Sequence, residues 1–102
     1  MSNSVNEILI IGLGLIGASI AKASKEKGII VHGYDIKKSV IKTAIEDNVI
    51  DQSIDSIEGL NNKILIDKID LVIISVSPKA TQEIINQIPN LLNTKITITD
   101  TS

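Results

Sequence analysis

Two stretches of the chain are continuously apolar, and each is followed by a segment with helical spacing. Ile8–Ile11 and Leu71–Ile74 are unbroken apolar runs, the pattern typical of central strands that are covered on both faces. After the first run, Gly14–Lys27 repeats apolar residues at the spacing of an amphipathic helix. The inner face of this helix is predicted to consist of Ile16, Ile20 and Ala23. This alternation predicts an α/β fold with right-handed parallel crossovers.

The same patterns predict five strands and three longer helices. The strands are expected at Glu7–Ile11, Ile29–Tyr34, Ser53–Ile57, Leu71–Val76 and Lys95–Thr99. The helices are expected at Gly14–Lys27, Lys37–Asp47 and from Pro78 to about Ile88, while Lys63–Lys68 is either a short helix or an irregular crossover. We expect one domain over residues 1–102, a doubly wound parallel sheet of the Rossmann type with strand order 3-2-1-4-5.

The segment Gly12–Gly17, with the sequence GLGLIG, joins the first strand to the first helix. In this context the GxGxxG spacing is typical of a site for the diphosphate of a dinucleotide. Gly12 permits the turn, Gly14 lets the backbone approach the phosphates, and Gly17 lets the helix pack closely on the strand. The helix N-terminus offers unpaired N–H groups to the anion. The predicted cofactor-binding residues here are Gly12, Gly14, Leu15, Ile16 and Gly17.

An acidic residue ends the second strand at the spacing expected for ribose binding. Asp35 lies 18 residues beyond Gly17, and its carboxylate would accept hydrogen bonds from the adenosine ribose hydroxyls. A carboxylate there favours NAD and repels the additional phosphate of NADP; Ile36 is grouped with it as cofactor-binding. Lys37 and Lys38 either form a solvated first turn of the second helix or would tolerate a 2′-phosphate.

The ends of the fourth and fifth strands complete the predicted site. Ser75, Val76 and Ser77 are expected near the nicotinamide ribose, and Ser77 also suits the N-cap before Pro78. Asp100 is predicted to lie closer to the nicotinamide, although a frayed end of the chain is the alternative there.

Composition excludes several other functions. The net charge is −2, the ten basic residues are all lysine, and Tyr34 is the only aromatic residue, so neither nucleic acid nor a membrane is an expected partner. The chain has no cysteine, and no run is long enough to span a membrane, which indicates a soluble cytoplasmic protein. No metal site is expected, because His32, the only histidine, lies within a strand. No catalytic residue is expected before Ser102.

Four segments resemble the prephenate/arogenate dehydrogenases of tyrosine biosynthesis. They are GLGLIGAS at residues 12–19, GYD ending at Asp35, DLVIISVSP at residues 70–78 and ITDTS at residues 98–102. The resemblance implies an NAD-dependent oxidative decarboxylation of a small-molecule substrate, prephenate or arogenate. It also implies that the chain is the N-terminal part of a longer enzyme, whose catalytic histidine lies beyond Ser102. A helical domain, absent here, would bind substrate and form a homodimer.

Two other classes share the glycine motif and the acidic residue. One is the nucleotide domain of a 3-hydroxyacid, 6-phosphogluconate or pyrroline-carboxylate-type reductase. The other is a regulatory domain of potassium transport systems, which senses NAD without chemistry. The choice between prephenate and arogenate stays open, because the substrate contacts would lie downstream.

Overall fold

The computed structural model of the protein describes residues 5–60, 62–87 and 96–98. Over these ranges strands and helices alternate, except that two short helices follow one another between the third and fourth strands. Sequence predictions for residues 88–95 and 99–102, including Asp100, lie outside the described residues. The elements are β1 (Glu7–Ile11), α1 (Leu15–Glu26), β2 (Ile30–Tyr34), α2 (Lys38–Glu46), β3 (Gln52–Ser53), α3 (Ile57–Leu60), α4 (Lys63–Lys68), β4 (Leu71–Ile74), α5 (Pro78–Gln87) and β5 (Ile96–Ile98).

The strands form one sheet in the order β3-β2-β1-β4-β5, and every pairing is parallel. The register aligns Ile11 with Tyr34 of β2 and with Ile74 of β4. The carboxyl ends of the three central strands therefore lie level at one edge of the sheet. The predicted fold class and strand order are confirmed.

Both faces of the sheet are covered, which explains the unbroken apolar runs. On one face, apolar side chains of the sheet pack with α4 and α5, and the buried members include Leu9, Ile11, Val72, Ile74, Ile66, Ile69 and Ile84. On the other face, they pack with α1 and α2, and the buried members include Ile8, Ile10, Val31, Ile73, Ala21, Ile41 and Ala44. Among the described residues, no helix has the length and apolar character that a membrane span requires.

The inner face of α1 differs from the prediction. Ile16 and Ala23, expected to face the sheet, are exposed, and the buried residues of the helix are Gly17 and Ala21. A side chain at Gly17 would collide with the carbonyl oxygen of Gly12. The helix approaches the sheet so closely that its smallest residues form the tightest contact. Ile20, the third residue predicted for this face, is half-buried and packs against the core.

The third strand is two residues long, rather than the five predicted at Ser53–Ile57. The N–H of Ile54 still donates to the carbonyl of Gly33 (2.9 Å). The chain then turns into α3, where the Ser56 hydroxyl accepts the N–H of Gly59 (3.2 Å). Ser56, which lies within the predicted strand, instead supports a short helix.

Candidate functional site

A tight turn at Gly12 takes the chain out of β1 between its two neighbouring strands. Gly12 has φ +101°, and its N–H donates to the carbonyl of Tyr34 (2.8 Å). A Cβ at this position would lie 2.8 Å from the carbonyl carbon of Ser75 and 2.6 Å from Cγ1 of Val76. Both the backbone angle and the close neighbours therefore require glycine.

The turn leads into a helix start that is open to solvent. Gly14 is the N-cap residue of α1 and provides no side-chain cap, and a Cβ added there would meet no atom within 4 Å. The first N–H groups of a helix have no partner within the helix, so those at the start of α1 are available to a ligand. Gly14, Leu15, Ile16 and Ser75 line a cavity of about 380 Å³ at this point. An anionic group fits this site by charge and by space.

The carboxylate of Asp35 is held beside this turn. Its Oδ2 accepts the N–H of Leu13 (2.8 Å), and its Oδ1 accepts the N–H of Lys37 (2.9 Å). Each carboxylate oxygen can accept a further hydrogen bond. The structure therefore brings together the glycine turn and the acidic residue that the sequence predicted as parts of one site.

A second cavity, of about 110 Å³, extends from Gly12 and Asp35 to α5. Its apolar walls are formed by Ile11, Tyr34, Ile36, Val76, Ala80 and Ile84. Glu83 and Gln87 complete the lining. The pKa of Tyr34 is raised, first by burial and then by the negative charges of Asp35 and Glu58. The cavity therefore combines apolar walls with the Asp35 carboxylate, which suits a ligand that has an apolar and a polar part.

The two lysines that follow Asp35 do not line this cavity. Lys38 lines a separate groove beside Lys42 and Ser53, between α2 and β3. Lys37 contributes its backbone N–H to Asp35. None of the described residues that line the Asp35 cavity is cationic.

Residues after β4 form the opposite side of the turn. Ser75 is buried, and its N–H donates to the carbonyl of Ile11 (2.8 Å). Val76 is half-buried against the core on the α5 side. The Ser77 hydroxyl accepts the N–H of Ala80 (3.2 Å), which confirms its predicted capping of α5. Ser75 and Val76 therefore reach the glycine turn, whereas the Ser77 hydroxyl is engaged by the helix.

His32 lies away from this site, as its position within a strand indicated. The side chain is buried, and its Nε2 lies 2.6 Å from Oε2 of Glu7. The interpretation of a histidine satisfied within the sheet is confirmed. Within the described ranges, no group of three potential metal ligands occurs.

Sequence reasoning missed the contribution of α5 to the site. Ala80, Glu83, Ile84 and Gln87 occupy positions i, i+3, i+4 and i+7, which place them on one helix face. That face lines the Asp35 cavity. The spacing was visible in the sequence, but only the fold shows that it faces the end of β2.

The chain matches a family model described as the nucleotide-binding domain of prephenate dehydrogenase, over residues 20–102. Among solved structures, the prephenate dehydrogenase of Aquifex aeolicus in complex with hydroxyphenyl propionate and NAD+ is similar over 96% of this chain. The identity is 27% and the TM-score 0.78.

Two more distant structures share the fold. The arogenate dehydrogenase of Synechocystis is similar over 92% of this chain, at 22% identity and a TM-score of 0.65. The 3-hydroxyisobutyrate dehydrogenase of Mycobacterium tuberculosis is similar over 94%, at 17% identity and a TM-score of 0.68. At these identities the likeness shows the fold alone. The chain spans about a third of the length of these structures, 34%, 32% and 33% in the order given.

Proposed function

We propose that this chain, which belongs to the family of prephenate dehydrogenase nucleotide-binding domains, binds NAD at the carboxyl edge of its sheet. It would serve there as the nucleotide-binding part of a prephenate or arogenate dehydrogenase. The observation that carries the proposal is the Asp35 carboxylate, fixed 2.8 Å from the N–H of Leu13 and beside the open helix start at Gly14. The relative from Aquifex aeolicus, solved with NAD+, supports the choice of dinucleotide.

The glycine turn would hold the diphosphate. Gly14 leaves open space where a side chain would otherwise project. The N–H groups of Leu15 and Ile16 belong to the first turn of α1, whose partial positive charge favours an anion. Gly12 and Gly17 would act indirectly, because they set the turn and the close helix packing that aim those N–H groups.

Asp35 would bind the adenosine ribose and select NAD over NADP. Its carboxylate oxygens can accept hydrogen bonds from the two ribose hydroxyls, and its charge opposes a 2′-phosphate. Ile36 would cover one side of the adenine. The absence of a cation among the described residues lining this cavity supports the preference for NAD.

The residues after β4 would lie toward the nicotinamide half. Ser75 and Val76 border the glycine turn, so the second ribose would lie beside them. Ser77, at the start of α5, would lie near the nicotinamide ribose. Asp100, after the fifth strand, is proposed to lie closer to the nicotinamide. Bound NAD would supply the hydride acceptor for an oxidative decarboxylation.

The rest of the activity is proposed for a longer protein. The chain spans about a third of the solved relatives, and the catalytic and substrate-binding groups are expected beyond Ser102. A homodimer would form through a further helical domain. A cytoplasmic location belongs to the same proposal and rests on a sequence without cysteine.

Calorimetric titration with NAD and NADP tests the proposal. We expect NAD to bind with a Kd in the tens of micromolar, about −6 kcal/mol, and NADP to bind more weakly. Asp35→Ala should weaken NAD binding at least tenfold, because hydrogen bonds to a charged group contribute about 1.5–3 kcal/mol each. The substitution should also reduce the difference in affinity between NAD and NADP.

Asp47→Ala is the matched control, since Asp47 is an exposed acid at the other end of α2. This substitution removes the same charge and should leave the NAD affinity unchanged. An Asp35→Ala protein that binds NAD as tightly as the wild type would overturn the assigned role of Asp35. Wild-type protein that binds neither dinucleotide would overturn the proposed function.

A further inference from the structure

The cavity beside Asp35 has one charged group whose role the proposed function leaves open. Glu83 lines the cavity from α5 and is exposed, and its carboxylate makes no hydrogen bond or ion pair to another described residue. Asp35, in contrast, already accepts two backbone N–H groups. Glu83 is therefore the lining carboxylate with all of its acceptor capacity available to a ligand.

Because of its position along α5, Glu83 would lie beside the adenine rather than beside the ribose. Ala80 and Ile84, on the same helix face, form apolar walls of the cavity. The cavity extends from Asp35, the proposed ribose ligand, to this face. A base attached to that ribose would therefore enter between the apolar walls with its edge toward Glu83.

The chemistry of a carboxylate distinguishes between purine edges. An ionised carboxylate only accepts hydrogen bonds. The six-position of adenine carries an amino group that donates, whereas hypoxanthine and guanine carry a carbonyl oxygen that accepts. Beside the six-position and N7, a carboxylate is complementary to the adenine amino group and is repelled by the two acceptors of a 6-oxopurine. At N1, by contrast, a 6-oxopurine carries a hydrogen that a carboxylate could accept.

We propose that Glu83 selects the base of the dinucleotide by accepting a hydrogen bond from the exocyclic amino group of adenine. This inference rests on the proposed function, because it takes NAD as the ligand. Gln87, one turn further along α5, also lines the cavity. Its amide both donates and accepts, so it binds either kind of base edge and does not discriminate on its own.

The test compares NAD with nicotinamide hypoxanthine dinucleotide, whose purine has a carbonyl oxygen in place of the six-amino group and a hydrogen on N1. Wild-type protein should prefer NAD by about fivefold to tenfold, the effect of one charged hydrogen bond at a partly solvated site. Glu83→Gln keeps the size of the side chain and adds a donor for the carbonyl oxygen. In this variant the preference should fall to within about twofold.

Glu46→Gln is the matched control, because Glu46 lies in α2 and lines the separate groove beside Lys42. It makes the same change in net charge and should keep the wild-type preference for NAD. A wild-type protein that binds both dinucleotides equally, or a Glu83→Gln protein that keeps the full preference, would overturn the role of Glu83 and leave the proposed function standing. A wild-type protein that binds neither would overturn both.

Discussion

The amino edge of the sheet differs from the carboxyl edge in how the nearby backbone N–H groups are paired, and the difference lies at the start of α1, which has no side-chain cap. At the amino edge, the Asp70 carboxylate accepts the N–H groups of Asn6 and Glu7 (2.8 and 2.9 Å). The Asp51 carboxylate similarly accepts the N–H of Val31 (2.8 Å). Asp70 lies directly before β4, and Asp51 lies directly before β3. The adjacent strand extends further at these points, and its N–H groups would otherwise lack an acceptor.

Side chains at the amino edge are also paired. Lys25 lies 3.3 Å from the Asp51 carboxylate and donates to the backbone carbonyl and side chain of Asn48 (3.0 and 2.8 Å). Near the start of β1, Glu7 contacts His32. The polar groups described at this edge are therefore paired with one another.

At the carboxyl edge, an aspartate also accepts a backbone N–H, but neighbouring N–H groups stay unpaired. Asp35 accepts the N–H of Leu13, yet the helix start that follows at Gly14 has no cap. Free N–H groups at the start of α1 and satisfied ones at the amino edge agree with the proposal that the carboxyl edge binds the ligand. The comparison separates residues that stabilise the fold from residues that are proposed to bind.

The largest expected effect is on stability, and it distinguishes Gly17 from Gly14 within the GLGLIG segment. Gly17→Ala should lower the free energy of unfolding by about 2–3 kcal/mol, because the new methyl group meets the backbone carbonyl of Gly12. Gly14→Ala should change it by less than about 0.5 kcal/mol but weaken NAD binding about tenfold. Urea unfolding followed by circular dichroism, with calorimetric titration, gives both numbers. Equal stability losses in the two variants would contradict the assignment of Gly14 to the ligand.

A smaller effect is expected at the amino edge. Asp51→Ala should cost about 1–2 kcal/mol in the free energy of unfolding, since the partly buried N–H of Val31 loses its acceptor and Lys25 its ion pair. NAD affinity should be unchanged. Asp55→Ala, at an exposed position after β3, serves as control and should alter neither quantity. A loss of NAD affinity in Asp51→Ala would show that the two edges are coupled.

The smallest effect is a pH dependence at Tyr34, where burial, Asp35 and Glu58 raise the pKa. Because the folded protein holds the phenol proton more tightly than the unfolded chain, this stabilisation is complete below about pH 10, the ordinary pKa of tyrosine. It is lost as the pH rises through the higher folded pKa.

Tyr34→Phe isolates this effect from the titration of the lysines. The stability difference between wild type and Tyr34→Phe should decrease above about pH 10, by at most about 1.4 kcal/mol per pH unit. Denaturant unfolding of both proteins between about pH 8 and pH 11 measures it. Curves that stay parallel over this range would show that Tyr34 is not desolvated as the structure indicates.

Local chemistry explains which features could be predicted from the sequence. The unbroken run before Gly12 identified β1, and the spacing to Asp35 indicated the two parts of the proposed site. Both signals depend on residues that are close in sequence or on a distance fixed by the βαβ unit. The fold class and strand order followed from the alternation of strands and helices.

The features that were missed depend on tertiary packing. Ile16 has the hydrophobicity of a core residue, but the close contact at Gly17 turns it toward solvent. Ile54 favours a strand, yet Ser56 supports a helical turn directly after it. Glu83 lies beside the end of β2 because α5 packs onto the sheet. No local sequence pattern predicts this packing.

The hydrogen bond between Asp35 and Leu13 has a consequence for how ligand affinity is distributed. It joins the segment proposed to bind ribose to the segment proposed to bind diphosphate, so both are ordered before a ligand arrives. Such preorganisation lowers the entropic cost of association. It also makes the two segments one thermodynamic unit, and substitutions in them should give non-additive losses of binding free energy.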